Sequence, residues 1–452
     1  MKIDILVAEI GSTTTVVNGF SNLDTNPKFM GQGQSATTVL EGDVNIGLKS
    51  AIEDFAKNIS LESIDYKELL ATSSAAGGLR MTVHGLVYDM TVKAAKEAAL
   101  GAGANIKLIT AGKLRKSDLR KIVEITPNII LIAGGVDYGE RDTALYNAEH
   151  IAALNLKIPV IYAGNIENQE EIKDIFKDSE LYLVDNVYPK IDELNVEPTR
   201  RVIQDVFEKH IIYAPGMENV REMVTGPIMP TPGAVMNASE LLYGDLGDLL
   251  TIDVGGATTD VHSVTEDSDE ISRILLSPEP KAKRTVEGDL GVYVNMKNIV
   301  EMAGKEKLAE ELEISIEEVK SLINNHKPIP ETELEKKFVE KLTLYATITA
   351  SKRHGGRLKS IFGPSGKKTF AEGKDLSQVK YIIGTGGALT RLLNRESILK
   401  KIPQSNKGNN LLPNDDVEIL IDHHYIMASL GVMAKRYPEE ALQLLKKSLK
   451  LS

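Results

Sequence analysis

Two short segments of this chain place a carboxylate near the end of an apolar run, then a glycine turn, then threonines. The first is Glu9-Ile10-Gly11-Ser12-Thr13-Thr14, and the second is Asp253-Val254-Gly255-Gly256-Ala257-Thr258-Thr259-Asp260. A glycine turn lets backbone amides approach an anion closely, and the hydroxyls of Ser12, Thr13, Thr14, Thr258 and Thr259 add donors suited to phosphate oxygens. Glu9, Asp253 and Asp260 would repel bare phosphate. They fit that chemistry only with a hard cation in between, and Mg2+, which keeps several of its waters, suits the task. Either segment alone reads equally well as a plain hairpin turn; the recurrence of the same acid-then-glycine order argues against that. A third segment, Tyr381 to Thr390, runs from a strand into a cluster at Gly384, Gly386 and Gly387 and on into a helix, a geometry in which backbone and helix N-terminus can approach a nucleotide.

The elements around these segments repeat. Aligning residues 4–17 with 248–261 gives six identities in fourteen positions. A spacing of 244 residues indicates duplicated lobes, not a solenoid. Around the first copy, Ile3 to Ile10, Thr14 to Phe20 and Lys28 to Thr37 read as a β-meander. A helical period follows from Leu40 to Asn58, and then a strand at Leu69 to Ser73. Around the second copy the strands are expected at Asp248 to Val254, Asp260 to Val264 and Arg273 to Leu276. A helical region then spans about 290–352, Phe370 to Gly373 forms part of a hairpin, Lys380 to Ile383 is a strand, and the chain is helical from His423 onward. Between Val92 and Ile212, strands at 106–111, 128–133, 158–163 and 181–184 alternate with helical stretches, the pattern of βαβ units on a parallel sheet. The domain reading is a first lobe at 1–91, an inserted α/β domain at 92–212, return helices at 213–247, and a second lobe with a helical subdomain at 248–452.

Composition excludes several functions. The 452 residues, 42% of them apolar, suffice for a multi-domain globular protein. With no Cys there is no disulfide, thiolate zinc site, iron–sulfur cluster or cysteine nucleophile. A net charge of -11, without a Lys/Arg block, disfavours nucleic acid and anionic membranes as partners. The N-terminus lacks a signal-peptide pattern, and no apolar run approaches the roughly 18 residues of a membrane helix, so a soluble, cytoplasmic protein is expected.

The three glycine segments resemble the phosphate and adenosine motifs of the actin, sugar kinase and Hsp70 ATPase superfamily. That resemblance implies an α/β fold of two duplicated ribonuclease-H-like lobes around an ATP cleft, with an inserted α/β domain. Ala8 to Thr15 is similar to the first phosphate motif, Ile252 to Asp260 to the second, and Gly384 to Ala388 to the adenosine motif; Glu9 stands where the first motif normally carries Asp. The segments Ala8 to Thr15, Lys283 to Gly291, Gly373 to Leu376 and Ile383 to Leu389 further resemble the MutL/GlmL accessory proteins encoded beside adenosylcobalamin-dependent glutamate mutase. This implies an ATP-binding, ATP-hydrolysing reactivase that uses ATP and Mg2+ and has the mutase subunits as partners. Asp253, Glu9 and Asp260 are the candidate catalytic residues, and Glu9 and Asp253 the candidate metal residues, acting through water. Gly11, Ser12, Thr13, Thr14, Gly255, Gly256, Thr258, Gly384, Gly386 and Gly387 are the candidate nucleotide contacts.

Other signals read more plainly. Gly363-Pro364-Ser365-Gly366-Lys367 lacks the first glycine and the Ser/Thr of a Walker A loop and is read as a surface turn. His354-Gly355-Gly356 has no Gly-x-Ser-x-Gly elbow to serve. His423-His424, on a helix, would diverge and are not read as metal ligands. Ala133 to Asp137 is read as a tight turn. Arg284, Glu287 and Asp289 either border the cleft or form a charged N-cap region with Asp289 as the cap. The rival functions are a small-molecule kinase on the same fold, a 2-hydroxyacyl-CoA dehydratase activator, whose cluster would need cysteines, and an actin-like scaffold.

Overall fold

The computed structural model describes residues 2–11, 14–38, 43–74, 79–210, 218–226, 228–363 and 366–451. Ser12 and Thr13 lie outside the described residues, as do Pro364 and Ser365 of the Walker-like turn. The chain divides into two compact units, Met1–Ala238 with Ala428–Leu444, and Ser239–Met427 with Leu445–Ser452.

In the first unit β1 (Lys2–Ile10), β2 (Thr14–Ser21) and β3 (Lys28–Ala36) form the antiparallel meander, and β4 (Asp65–Ser73) lies parallel to β1. Ile3, Ile5, Leu6, Val7, Ala8 and Ile10 are all buried, as a central strand covered on both faces requires. The helix Val44–Asn58 starts at Asp43, whose carboxylate accepts from the Asn45 amide, and buries Leu48, Ala51 and Phe55.

The chain then builds a second sheet. β5 (Arg80–Gly85), β6 (Asn105–Ala111), β7 (Ile129–Ile132), β8 (Val160–Tyr162) and β9 (Leu181–Leu183) pair in parallel, in the order β6-β5-β7-β8-β9. Helices Lys93–Gly101, Lys116–Ile125, Asp142–Ala152 and Gln169–Ile175 make the crossovers. The interior strand β5 is one the sequence pattern does not announce. It carries Thr82 and His84 in its interior, buried because His84 Nδ1 bonds Thr110 Oγ1 at 2.8 Å and Nε2 bonds Thr82 Oγ1 at 3.0 Å. β10 (Ile228–Pro230) returns to the first sheet, whose order is β10-β4-β1-β2-β3.

The second unit carries β11 (Leu249–Val254), β12 (Thr259–Val264), β13 (Ala282–Glu287), β14 (Gly356–Gly363), β15 (Gly366–Glu372), β16 (Tyr381–Thr385), β17 (Asn410–Leu411) and β18 (Glu418–Ile421). Its main sheet runs β13-β12-β11-β16-β18, with an antiparallel meander on one side and two parallel strands on the other. That is the strand order of the first sheet again, in a mixed α/β fold of the expected class. One strand differs from expectation. The third strand of this meander is β13, not Arg273 to Leu276, which follows the short helix Asp269–Ser272 and makes only an isolated bridge from Leu275 to Ala371. Its charged Lys283 and Arg284 are buried by pairing with Glu279 and Asp260, so no apolar alternation marks it. His423 and His424 occupy a turn before the helix Met427–Met433, not the helix itself.

Candidate functional site

The two hairpins close in the same way. The Gly11 amide donates to the Thr14 carbonyl at 2.9 Å, and the Gly255 amide to the Thr258 carbonyl at 2.9 Å. Glu9 lies opposite Val16 on β2 and Thr72 on β4; Asp253 lies opposite Asp260 on β12 and Thr385 on β16. The repeat seen in sequence is therefore also a repeat of register, down to a threonine beside each acid.

In the first unit Glu9 is buried, and its Oε1 accepts three hydrogen bonds: from Ser429 Oγ at 2.6 Å, the Ser429 amide at 3.1 Å and Asn18 Nδ2 at 3.3 Å. Asn18 is itself held by Gln32 Nε2, which donates to its Oδ1 at 2.9 Å. Gly11 ends the strand and Thr14 stands exposed beyond the turn.

In the second unit the hairpin turn is gripped from one side. The Gly255 carbonyl accepts from the Val292 amide at 3.2 Å. The Gly256 carbonyl accepts from Tyr293 and Val294 at 2.9 and 2.7 Å, and the Ala257 carbonyl from Asn295 Nδ2 at 2.8 Å. Gly291 is required in this grip, since a Cβ there would lie 2.3 Å from the Ala257 carbonyl group. With its carbonyls engaged, the turn keeps its amides for other use: no described residue accepts from the amides of Gly256, Ala257 or Thr258. Gly256 and Ala257 are exposed. Three consecutive free amides on a turn form an anion-binding concavity.

Half-buried Asp253 sits beside this turn and against the third glycine segment. Gly386 adopts φ +83°, and a Cβ there would lie 2.3 Å from Asp253 Oδ1 and 2.6 Å from the Val254 carbonyl oxygen. The glycine is thus needed twice, for its backbone and for the space occupied by the carboxylate. Gly384 is packed on Leu399, whereas Gly387 faces open space. Asp260, directly opposite Asp253, is buried and paired with Arg284 at 3.3 Å; burial pushes its carboxyl above the ordinary range while Arg284 pulls it back. Arg353 bridges Glu287 at 2.6 Å and Asp289 at 2.8 Å, holding Asp289 below its usual range. Asp289 is not a helix cap, because the next helix, Met296–Ala303, begins after Asn295.

The sequence did not single out Asp422, which fixes the Gly386 turn. Buried at the end of β18, it accepts from Thr385 Oγ1 at 3.0 Å, the Ile426 and Met427 amides at 2.9 Å each, and Ser448 Oγ at 2.6 Å. Burial pushes its carboxyl up, and these donors oppose the shift. Its signal is present in the sequence: Ile419-Leu420-Ile421-Asp422 is another apolar run ending in an acid. Asn18 and Ser429 leave no such trace. Among the described residues no group of three or more His, Cys, Asp or Glu could hold a metal ion, and no helix is long and apolar enough to cross a membrane.

Comparison with known proteins places these features in a family. The family model described as MutL protein matches residues 5–449, and the chain belongs to that family. Protein MutL of Clostridium tetanomorphum is 36% identical over 458 residues, covering 98% of both chains. Among solved structures, nucleotide-free acetone carboxylase is 12% identical, covering 96% of this chain and 70% of its own, with a TM-score of 0.42. A ROK family glucokinase from Streptomyces griseus, in complex with glucose and AMPPNP, is 11% identical, covering 98% of this chain and 99% of its own, with a TM-score of 0.33.

Proposed function

We propose that this member of the MutL protein family binds and hydrolyses ATP and acts as a reactivating accessory protein for an adenosylcobalamin-dependent glutamate mutase or a related aminomutase. The observation that carries the ATP reading is the second-unit constellation: three free amides on the 255–258 turn, with Asp253 between that turn and Gly386. The family membership supports the accessory role.

In this reading the amides of Gly256, Ala257 and Thr258, with the Thr258 hydroxyl, donate to phosphate oxygens and stabilise the charge that builds up as the terminal phosphoryl group leaves. Asp253 accepts a hydrogen bond from the attacking water and orients it. Gly384, Gly386 and Gly387 let the backbone approach the adenosine end. Asp260, held opposite Asp253 by its buried pairing with Arg284, is proposed to set the polar environment of Asp253. The Glu9-Gly11 hairpin of the first unit carries the same parts and is proposed to contact phosphate too, with Ser12, Thr13 and Thr14 as donors. A water-shelled Mg2+ needs only one or two carboxylates plus phosphate oxygens, and in the second unit Asp253 meets that demand. When bound, the ion would neutralise phosphate charge. The proposed setting is the cytoplasm, where ATP is available.

The test follows ATP hydrolysis by the purified chain with Mg2+, alone and after adding glutamate mutase inactivated during turnover, while recovery of mutase activity is measured. Recovery that depends on hydrolysable ATP supports the reading. Phosphoryl transfer to an added metabolite, without recovery, would replace it with a small-molecule kinase. Asp253→Ala is expected to lower hydrolysis at least 100-fold with the fold intact; retained activity would remove Asp253 from the mechanism.

A further inference from the structure

The inserted parallel sheet presents a surface that ATP chemistry does not use. Its order reverses between β5 and β7, and in open parallel sheets ligands are met on the loops beyond the carboxyl ends of the strands. Of the twelve large apolar side chains exposed among the described residues, five lie on those loops. Val87 (43% exposed) and Tyr88 (59%) follow β5, Tyr138 (77%) follows β7, Ile166 (47%) follows β8 and Ile191 (70%) follows β9. Scattered exposed apolar residues need no explanation, but their gathering at one end of one sheet does.

The loops after β7, β8 and β9, which carry Tyr138, Ile166 and Ile191, are tied together. Buried Asn165 accepts from the Tyr138 amide at 3.1 Å through Oδ1. Asp137 Oδ1 accepts from the Ile166 amide at 3.0 Å and from Asn186 Nδ2 at 2.9 Å, and the Asp137 amide donates to the Pro189 carbonyl at 2.9 Å. The Asp192 amide donates to Tyr188 Oη at 2.9 Å. Tyr138 and Asp192 are held in left-handed backbone, at φ +63° and +61°, although neither is glycine. Apolar anchors on loops already fixed lose little freedom on binding, which is what a docking surface needs.

Charge selects the occupant. Asp142, Glu167, Asp185 and Asp192 stand exposed around Tyr138, Ile166 and Ile191. The basic residues of the same loops are already engaged, Arg141 with Glu171 and Lys190 with Glu193. The loops after β7, β8 and β9 therefore repel phosphates, nucleic acid and acidic lipid, and they complement a protein surface with an apolar centre and a lysine- and arginine-bearing edge; the exposed Lys113, Arg115 and Lys116 follow β6, at the opposite edge of the sheet. We propose that the carboxyl end of the inserted sheet is the docking face for the mutase, through such a surface; this rests on the accessory role proposed above.

The test measures binding of purified glutamate mutase, with both of its subunits, to the full chain in the presence of Mg2+ and either ATP or ADP. Tyr138→Asn with Ile191→Ser is expected to weaken binding at least 30-fold while ATP hydrolysis and the melting temperature stay unchanged; Asn accepts the left-handed backbone at position 138. Glu167→Lys with Asp185→Lys is expected to weaken it at least fivefold at low salt and to flatten its salt dependence. If the wild-type chain binds and the apolar variant binds within threefold of it, the docking face is wrong and the accessory reading stands. If the wild-type chain fails to bind, the accessory reading falls, and the docking assignment with it. Concentration-dependent self-association that the apolar variant abolishes would assign the face to a second copy of this chain and overturn the proposal.

Discussion

Adjacent glycines of the third segment provide the sharpest test of how the second-unit site is built. Replacing Gly386 with Ala puts a methyl 2.3 Å from Asp253 Oδ1, 2.6 Å from the Val254 carbonyl oxygen and 2.7 Å from the Val254 amide nitrogen, on a backbone at φ +83°. A left-handed alanine costs roughly 1–2 kcal/mol, and overpacking against backbone a further ~1–3 kcal/mol. Ala is favoured over Gly in a helix by ~1 kcal/mol, which leaves a net loss of about 1–4 kcal/mol. Gly387→Ala meets nothing within 4 Å and needs no left-handed backbone, so it is expected to be neutral or stabilising by up to ~1 kcal/mol. Urea denaturation of the full chain reads the difference, and titration with ATP reads the consequence for the site. Gly386→Ala is expected to weaken ATP binding at least tenfold by displacing Asp253 and the strand end, whereas Gly387→Ala retains the fold. Equal losses at both positions, or a Gly386→Ala protein within ~0.5 kcal/mol of the parent, would refute the close packing of Asp253 on Gly386.

Three further outcomes are expected. Burial holds the His84 imidazole down to about 3, below its ordinary 6.5, so the folded state binds fewer protons than the unfolded chain between those values and stability is lost as pH falls through that window. His84→Gln should flatten the stability profile by up to about 2 kcal/mol between pH 7 and 5, measured by denaturation at each pH; an unchanged slope would show that His84 does not titrate this way. Asp422→Ala strips the acceptor from Thr385, Ser448 and two amides and should cost about 3–5 kcal/mol, read by melting. Ser429→Ala removes the 2.6 Å bond to Glu9 and should cost about 1–3 kcal/mol in the same assay.

What sequence reveals here depends on whether a residue's partner is near it in the chain. Both hairpins are legible because acid, glycine and threonine lie within six residues, and β1 and β11 are mostly apolar. β13 is illegible as a strand because Ala282-Lys283-Arg284-Thr285-Val286-Glu287 shows no apolar face; Arg284 is buried against Asp260, on the neighbouring strand. β5 hides for the same reason, since Thr82 and His84 satisfy each other and Thr110 inside the sheet. Glu9 reads as a carboxylate available for chemistry until Ser429, 420 residues away, is found on its Oε1. Polar residues that enter a core in mutually satisfied sets erase the hydrophobic period on which strand recognition rests.

The two copies share a backbone plan but differ in what faces the acid. Val16 stands opposite Glu9, and Asp260 stands in the same place opposite Asp253. Like charges directly opposed on neighbouring strands destabilise a sheet, so the second copy carries a cost that the first avoids. Arg284 offsets it from β13, leaving Asp253 as the half-exposed member of the pair, while Glu9 is buried under its donors. A purely structural repeat would have no use for the second arrangement, because a valine at 260 would make the sheet easier to build. The physical asymmetry supports the proposal that Asp253 is the reactive carboxylate, with Glu9 in an anchoring role. It orders the variants: Glu9→Gln, which keeps an acceptor for Ser429, should retain most of the ATPase rate, and Asp253→Asn, which keeps the shape and loses the charge, should abolish it. A Glu9→Gln protein as inactive as Asp253→Asn, with an unchanged melting temperature, would show that the first-copy carboxylate does more than hold the fold.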